Sequence, residues 1–340
     1  MNHYACQNPH DESHVQAKEA RGDKAAHATA PDDETVTEET LTSRSNGMRI
    51  LLTGASGHLG AFLLLEARRL GLDLACWTGV TTQRFAGFDL TPLDLTDPAR
   101  TEAEFHRVAP DLVLHTAAVS ALADCVARPE LAHAVNVEAT RRLVELTAAS
   151  GARLLYTSTD LVFDGRTGDY REDDPPNPLS VYARTKLAAE AIVLSHPRNL
   201  VVRLGWLAGP KLIGKPRFFD EIVQKLLSGQ QVQLFKDEWR SPLGLPTAAD
   251  ALWNLALGPA SGLLHLGGPE RLSRYEMGLR MAAHLGVDAT LVEPASQAEL
   301  KTPEPRPSDV SLNSAKWRQL CPKQRWETFD ATLEPFAEKT

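Results

Sequence analysis

The chain has 340 residues, 43% hydrophobic and 24% charged, ordinary values for a globular protein with a sizeable core. Its net charge is −8, but the first 47 residues hold nine acids against four bases, so −5 of that charge sits there and the rest is nearly neutral. No basic stripe points to nucleic acid; no apolar run reaches the ~18 residues of a membrane span; and Cys6, Cys76, Cys125 and Cys321 lack zinc or disulfide spacing, which fits a reducing cytoplasm.

Residues 1–47 lack hydrophobic periodicity and read as a disordered tail, without the apolar core of a signal peptide and too acidic for a transit peptide. Its scattered histidines are not read as metal ligands, and no metal is expected. Met48, directly before the first strand, is a candidate translation start.

From Arg49 to Thr53 the text is a short buried strand, followed by Gly54, Ala55, Ser56, Gly57, His58, Leu59, Gly60 and a Leu-rich helix to about Leu70. Strand, spaced glycines and helix make a dinucleotide-binding turn, in which backbone approaches a pyrophosphate lying on the helix N-terminus. A second strand, Leu72–Trp77, ends in Thr78 and Gly79 without the acid that would bind a ribose diol. Thr78, Thr81, Thr82 and Arg84 therefore fit NADP better than NAD. Asp94 and Leu95, after the next short strand, are placed at the adenine, with a helix cap before Pro98 as the other reading of Asp94. The strand Asp111–Ala118 ends in small residues, Ala117 and Ala118, where backbone passes close to a cofactor.

Apolar spacing predicts one long helix over Pro129–Ser150, carrying a polar Asn136. The strand Ala152–Thr157 then leads to Ser158, Thr159 and Asp160, and a later helix carries Tyr182 and Lys186. Four residues apart on a helix means one face, so phenol and ammonium point into one space. A nearby cation is expected to lower the phenol from its ordinary value of about 10. Tyr and Lys stand at this spacing on many helices, and it is the surrounding strand–helix alternation that gives the pair meaning. Leu200–Leu204 adds another strand, and the fold class predicted is α/β, a doubly wound parallel sheet.

Beyond Trp206 the alternation loosens. Helices are expected over Phe218–Leu227, Thr247–Leu257 and Ser273–Leu285, strands over Val232–Phe235 and Gly262–Gly267, and loops over Asp237–Pro246, which carries Arg240, and Pro303–Lys316, which carries Arg306. The expected division is a nucleotide-binding domain over 48–205 plus roughly 245–270, and a smaller substrate lobe from 206–244 and 271–330.

TGASGHLG, STDLVFDG, YARTKLAAE, RLGW, the Arg240 loop and RPSDVSLNSAK together resemble the extended short-chain dehydrogenase/reductase superfamily, and within it the dTDP-4-dehydrorhamnose reductase family, over about residues 48–320. The resemblance implies a catalytic Thr159, Tyr182 and Lys186, with Lys186 also on the nicotinamide ribose. It places Gly54, Gly57 and Gly60 on the pyrophosphate, with His58 and Leu59 in the same turn, and Trp206, Arg240 and Arg306 at the substrate; Asp160, next to Thr159, is read either as a substrate-orienting or proton-relaying group or as a cap of the following turn. The sequence departs from the family at Leu161 (often Tyr), Ala183 (often Gly) and His58 (often Gln). The implied activity is NADPH-dependent reduction of a nucleotide-linked 4-keto-6-deoxysugar, with a homodimer as the candidate assembly. The alternatives are a nucleotide-sugar epimerase, and a regulatory subunit like that of methionine adenosyltransferase.

Overall fold

A computed structural model describes residues 47–79, 83–299 and 304–337. The expected tail, Gly47 apart, and the expected cofactor residues Thr81 and Thr82 lie outside the described residues.

The chain opens with β1 (Ile50–Thr53), α1 (His58–Arg69) and β2 (Leu74–Thr78), then a hairpin of β3 (Gln83–Phe85) and β4 (Phe88–Pro92). There follow α2 (Pro98–Val108), β5 (Leu112–His115), α3 (Leu122–Ala127), α4 (Pro129–His133), a π-turn at Ala134–Glu138, and α5 (Ala139–Ser150). Next come β6 (Arg153–Thr159), a 3₁₀ turn at Asp160–Val162, α6 (Val181–Leu194) and β7 (Leu200–Leu204).

These strands, with a late β12 (Gly262–Leu266), form one eight-stranded sheet in the order β12-β7-β6-β5-β1-β2-β4-β3. Every neighbouring pair is parallel except β3 with β4. The central strands read LLT, LVLH and LVVRL and are buried along their length, as strands covered on both faces must be. Strand order reverses between β1 and β5, and ligands of such sheets bind beyond the carboxyl ends at that reversal.

The second half supplies β8 (Leu207–Ala208), α7 (Phe218–Leu227), β9 (Val232–Phe235), β10 (Trp239–Arg240), β11 (Leu243–Gly244) and α8 (Leu245–Leu257) before β12. After it come β13 (Leu272–Ser273), α9 (Arg274–His284), β14 (Val292–Ala295), α10 (Ala315–Leu320) and α11 (Phe329–Ala337). The almost wholly apolar α8 packs on α1, and Trp253 Nε1 donates to the Leu63 carbonyl at 2.9 Å. A separate hydrophobic core forms around Phe219, Ile222, Leu234, Met277, Met281 and Phe329.

Several elements differ from expectation. The helix over 129–150 is broken by its π-turn. The β3–β4 hairpin turns on Ala86 and Gly87, both at positive φ, a pair without the Asn or Asp that usually marks such turns. β14 carries Pro294 and pairs with the distant β9, and α10 and α11 stand where loop or nothing was expected. Among the described residues no helix is long and apolar enough to cross a membrane.

Candidate active site

The glycine turn closes β1 onto the end of β5. Gly54 has φ +73°, and a Cβ there would lie 2.7 Å from both Ala117 N and Thr116 Oγ1, so no other residue fits the switch point. A Cβ on Gly60 would strike the carbonyls of Gly54 and Ala55, so the helix can approach the turn only with glycine there. Gly57 caps α1 without a side-chain bond, and no acid stands in the first turn, which leaves the positive end of the helix for an anion. These features fit a dinucleotide pyrophosphate.

A cleft of about 990 Å³ runs from this turn across the ends of the strands. Its walls include Gly54, Gly57, His58, Leu59, Gly60, Thr78, Asp94, Leu95, Ala117, Ala118, Tyr182 and Lys186, and further along Thr159, Asp160, Trp206 and Arg240. Arg306 is not among them. Asp94 accepts from Thr96 N and Oγ1 in its own turn, whereas the cap of α2 is Asp97, which accepts from Arg100 N at 3.0 Å. Arg84 is exposed on β3, donates to the Gly87 carbonyl and lies 3.6 Å from Asp89, away from the cleft wall.

The end of β6 delivers Thr159, whose hydroxyl donates to Asp160 Oδ1 at 3.1 Å and accepts from Leu161 N. Ser180 caps α6 by accepting from Ala183 N, which puts Tyr182 in the first turn and Lys186 one turn on. Tyr182 is half-buried at the cleft, and Lys186 is 2% exposed. The Lys186 ammonium lies over the Tyr156 ring, 3.9 Å from its centroid. The expected lowering of the phenol by this lysine is not what the structure shows. Burial, then the Asp160 carboxylate, pushes Tyr182 above its ordinary value, and a Thr159 hydrogen bond only partly opposes them. Burial pushes Lys186 down to about 7, with Glu190 working against it.

Behind these groups runs an ordered polar chain. Thr140 spends its single proton on the Asn136 carbonyl (2.8 Å), so it accepts from His115 Nε2 (3.0 Å), and His115 Nδ1 in turn accepts from Thr53 (2.6 Å). The Asn136 side chain clamps Val119, accepting from its N–H and donating to its carbonyl, and also donates to Thr185 Oγ1 on α6. One polar residue in the π-turn thus joins the loop after β5 to the helix bearing Tyr182.

The far wall is aromatic and charged. The Trp206 ring has Phe218, Phe219 and Phe329 as neighbours at 6.3–6.4 Å. Arg240, 2% exposed, donates to Glu238 and stands 3.9 Å from Asp160 Oδ2. Arg306 donates twice to the opposite oxygen of Glu238, at 2.8 and 2.6 Å, so this carboxylate draws it away from the cleft.

The model of the RmlD substrate binding domain family matches residues 48–338. The chain belongs to this family. A dTDP-4-dehydrorhamnose reductase of Mycobacterium tuberculosis is 32% identical over 294 residues, 84% of this chain and 91% of that protein. The structure of a hypothetical dTDP-4-dehydrorhamnose reductase from Sulfolobus tokodaii superposes with a TM-score of 0.72 at 29% identity, covering 83% of this chain and 98% of that one. A dTDP-4-dehydrorhamnose reductase from Bacillus anthracis, solved in complex with NADP, gives 0.75 at 22% identity over 86% and 99% of the chains.

Within this RmlD-type fold, His58 reaches the Pro210 carbonyl at 3.2 Å and so ties the glycine turn to the loop before α7, while Leu161 lines the cleft and Ala183 is buried in the first turn of α6. Sequence reasoning missed Glu238 and Arg274, which adjoin or line the substrate wall. Glu238 stands directly before the two-residue β10, and its side chain accepts from Arg240 Nη2 at 2.8 Å. Arg274 opens α9, where the helix dipole disfavours a cation, and that misplacement was the signal available for it.

Proposed function

We propose that the chain is an NAD(P)H-dependent oxidoreductase that reduces the keto group of a nucleotide-linked 4-keto-6-deoxysugar, a dTDP-4-dehydrorhamnose-like substrate. The observation that carries this reading is the meeting of Thr159, Tyr182 and Lys186 in the cleft that begins at the glycine turn and ends at Arg240.

A reduced nicotinamide, when bound, supplies the hydride. The chain supplies the proton and the geometry. Tyr182 Oη, kept protonated by its surroundings, gives its proton to the carbonyl oxygen as charge develops there. Thr159 Oγ1 holds the same oxygen by turning its single proton from Asp160 Oδ1, 3.1 Å away in the free protein, onto the substrate. Lys186, seated on Tyr156, reaches the cleft as a donor for a ribose hydroxyl. Trp206 offers a flat apolar face to the sugar, and Arg240 a cation to the phosphates.

NADPH is preferred over NADH in this reading, since β2 ends in Thr78 and Gly79 at the cleft without a carboxylate. The free thiols of Cys76, Cys125 and Cys321 agree with a cytoplasmic setting. An epimerase or dehydratase is less well served, because Asp160 is followed by Leu161 with no second carboxylic acid. The test is oxidation of NADPH and NADH with dTDP-4-dehydrorhamnose as acceptor, beside Tyr182→Phe. Wild-type turnover that drops by about 100-fold or more in the variant, with cofactor affinity kept, is expected; undiminished turnover in the variant removes the phenol from the mechanism.

A further inference from the structure

A line of charged side chains leads inward from the cleft. Tyr182, Lys186 and Glu190 stand at successive i,i+4 positions of α6 and so share one face of the helix. Lys186 and Glu190 are each 2% exposed, and Glu190 is the one acid on α6. Arg203 on β7 grips it with a planar fork, Nη2 donating to Oε2 at 2.7 Å and Nε to Oε1 at 3.0 Å. The remaining edge of the guanidinium, Nη1, donates to His265 Nε2 on β12 at 3.3 Å, and the Phe163 ring lies 5.0 Å from the group. Glu190 is thus fixed from two strands of the main sheet.

Lys186 needs such a neighbour, because a buried ammonium is unfavourable unless a negative charge compensates it. The Tyr156 ring beneath it offers only the weaker attraction of an aromatic face. Burial pushes Lys186 down to about 7, and Glu190 works against that shift. The other groups around this space supply no compensating charge. His115 on β5, Tyr156 on β6 and the Cys125 thiol on α3 are kept neutral by burial, while Tyr182 and Asp160 stand on the cleft side, where Asp160 faces Arg240 at 3.9 Å. The acids and bases of α3, α4, the π-turn and α5 are exposed, apart from a half-buried Arg142.

We infer that Glu190 is a positioning residue for the reaction: held by the Arg203 fork one turn beyond Lys186, its carboxylate supplies the negative charge that keeps the buried ammonium available to the nicotinamide ribose. The inference rests on the proposed cofactor role of Lys186. The Glu190–Arg203 pair is neutral as a whole, but its negative end lies on α6 with Lys186 and its positive end on β7, so the ammonium meets the carboxylate first. A free carboxylate at this position would turn to the ammonium and draw it from the cleft. With both oxygens spent on Arg203, Glu190 acts through its charge and leaves the three donors of Lys186 to the ligand.

The experiment is fluorescence titration of NADPH into the full chain from pH 5.5 to 9, for wild type, Glu190→Gln and the double variant Glu190→Gln, Arg203→Met. Glutamine keeps the shape and one acceptor for the Arg203 fork and removes only the charge. Wild-type affinity should weaken as pH rises through about 7. In Glu190→Gln the weakening should set in about one pH unit lower, so that affinity at pH 8 is about tenfold below wild type while at pH 5.5 the two agree within about twofold. Adding Arg203→Met removes the cation left bare by the first change and should bring the weakening part of the way back. A merely structural role reads differently: loosening admits water to Lys186 and moves the weakening to higher pH, or lowers affinity by one factor at every pH. Either result, or an unmoved profile, overturns the inference and leaves the proposed function standing, as does a wild type that binds NADPH equally well from pH 5.5 to 9. A wild type that does not bind NADPH overturns both. If Glu190→Gln has not folded, the double variant, which leaves no unpaired charge, decides: weakening at a lower pH than wild type supports the inference, and weakening at the same or a higher pH overturns it.

Discussion

Tyr182 and Lys186 stand one turn apart, yet the protein moves their proton affinities in opposite directions. The phenol is pushed up by burial and by Asp160, so the proton stays on the group that must give it away. The ammonium is pushed down to about 7 by burial, which leaves it cationic just below neutrality and neutral just above. A lysine that serves as a cationic donor to ribose then works fully below pH 7 and loses its charge above it. Because kcat/KM reports the free enzyme, the value for NADPH should hold below about pH 7 and fall about tenfold per pH unit beyond. The phenol contributes no break in that range. Lys186→Arg stays cationic throughout and should flatten the profile at a lower overall rate. A wild-type profile already flat from about pH 6 to 9 would show that the charge on Lys186 is not used.

At the scale of elements, the π-turn at Ala134–Glu138 shows what a single polar residue can organise. Asn136 bonds both backbone groups of Val119 and reaches Thr185, so Asn136→Ala leaves the half-buried Val119 N–H without this partner and its carbonyl with only the Cys125 thiol, next to the cleft. Urea unfolding should show a loss of about 1–3 kcal/mol, and a loss near zero would mean that water replaces the side chain. The π-turn itself was not legible, because helical periodicity runs through it unchanged. Features written in neighbouring residues were legible: glycines that permit close approach at Gly54 and Gly60, the Ser180 cap, the i,i+4 pair on α6. Features assembled from distant segments were not. β14 owes its existence to β9, and the fork around Glu238 draws Arg240, Arg274 and Arg306 from three separate stretches. Arg306 was expected at the substrate because its motif was visible, whereas the carboxylate that holds it elsewhere was not.

Across the whole molecule, the main sheet carries two fully buried imidazoles. His115 on β5 lies between Thr53 and Thr140; His265 on β12 donates from Nδ1 to the Tyr170 carbonyl and accepts at Nε2 from Arg203, itself paired with Glu190 at 2.7 Å. Burial pushes both down to about 3, helped by Lys186 for His115 and by Arg203 for His265. An imidazole of the unfolded chain takes up its proton near pH 6.5, so between about 6.5 and 3 the unfolded state binds the proton and the folded state does not. Stability therefore falls with pH across that window, by about 2 kcal/mol per histidine at pH 5. Glu238 acts lower on the scale: its contribution is fully present above about 4.5, so it is untouched at pH 5, and it is lost as pH falls toward 2. His265→Gln should be less stable than wild type at pH 7.5, having lost a well-placed partner for Tyr170 and Arg203. Its further loss on acidification to pH 5, followed by urea unfolding, should be smaller than that of wild type by about 2 kcal/mol. Parallel losses in the two proteins would mean that the folded sheet accepts the proton at His265 as readily as the unfolded chain does.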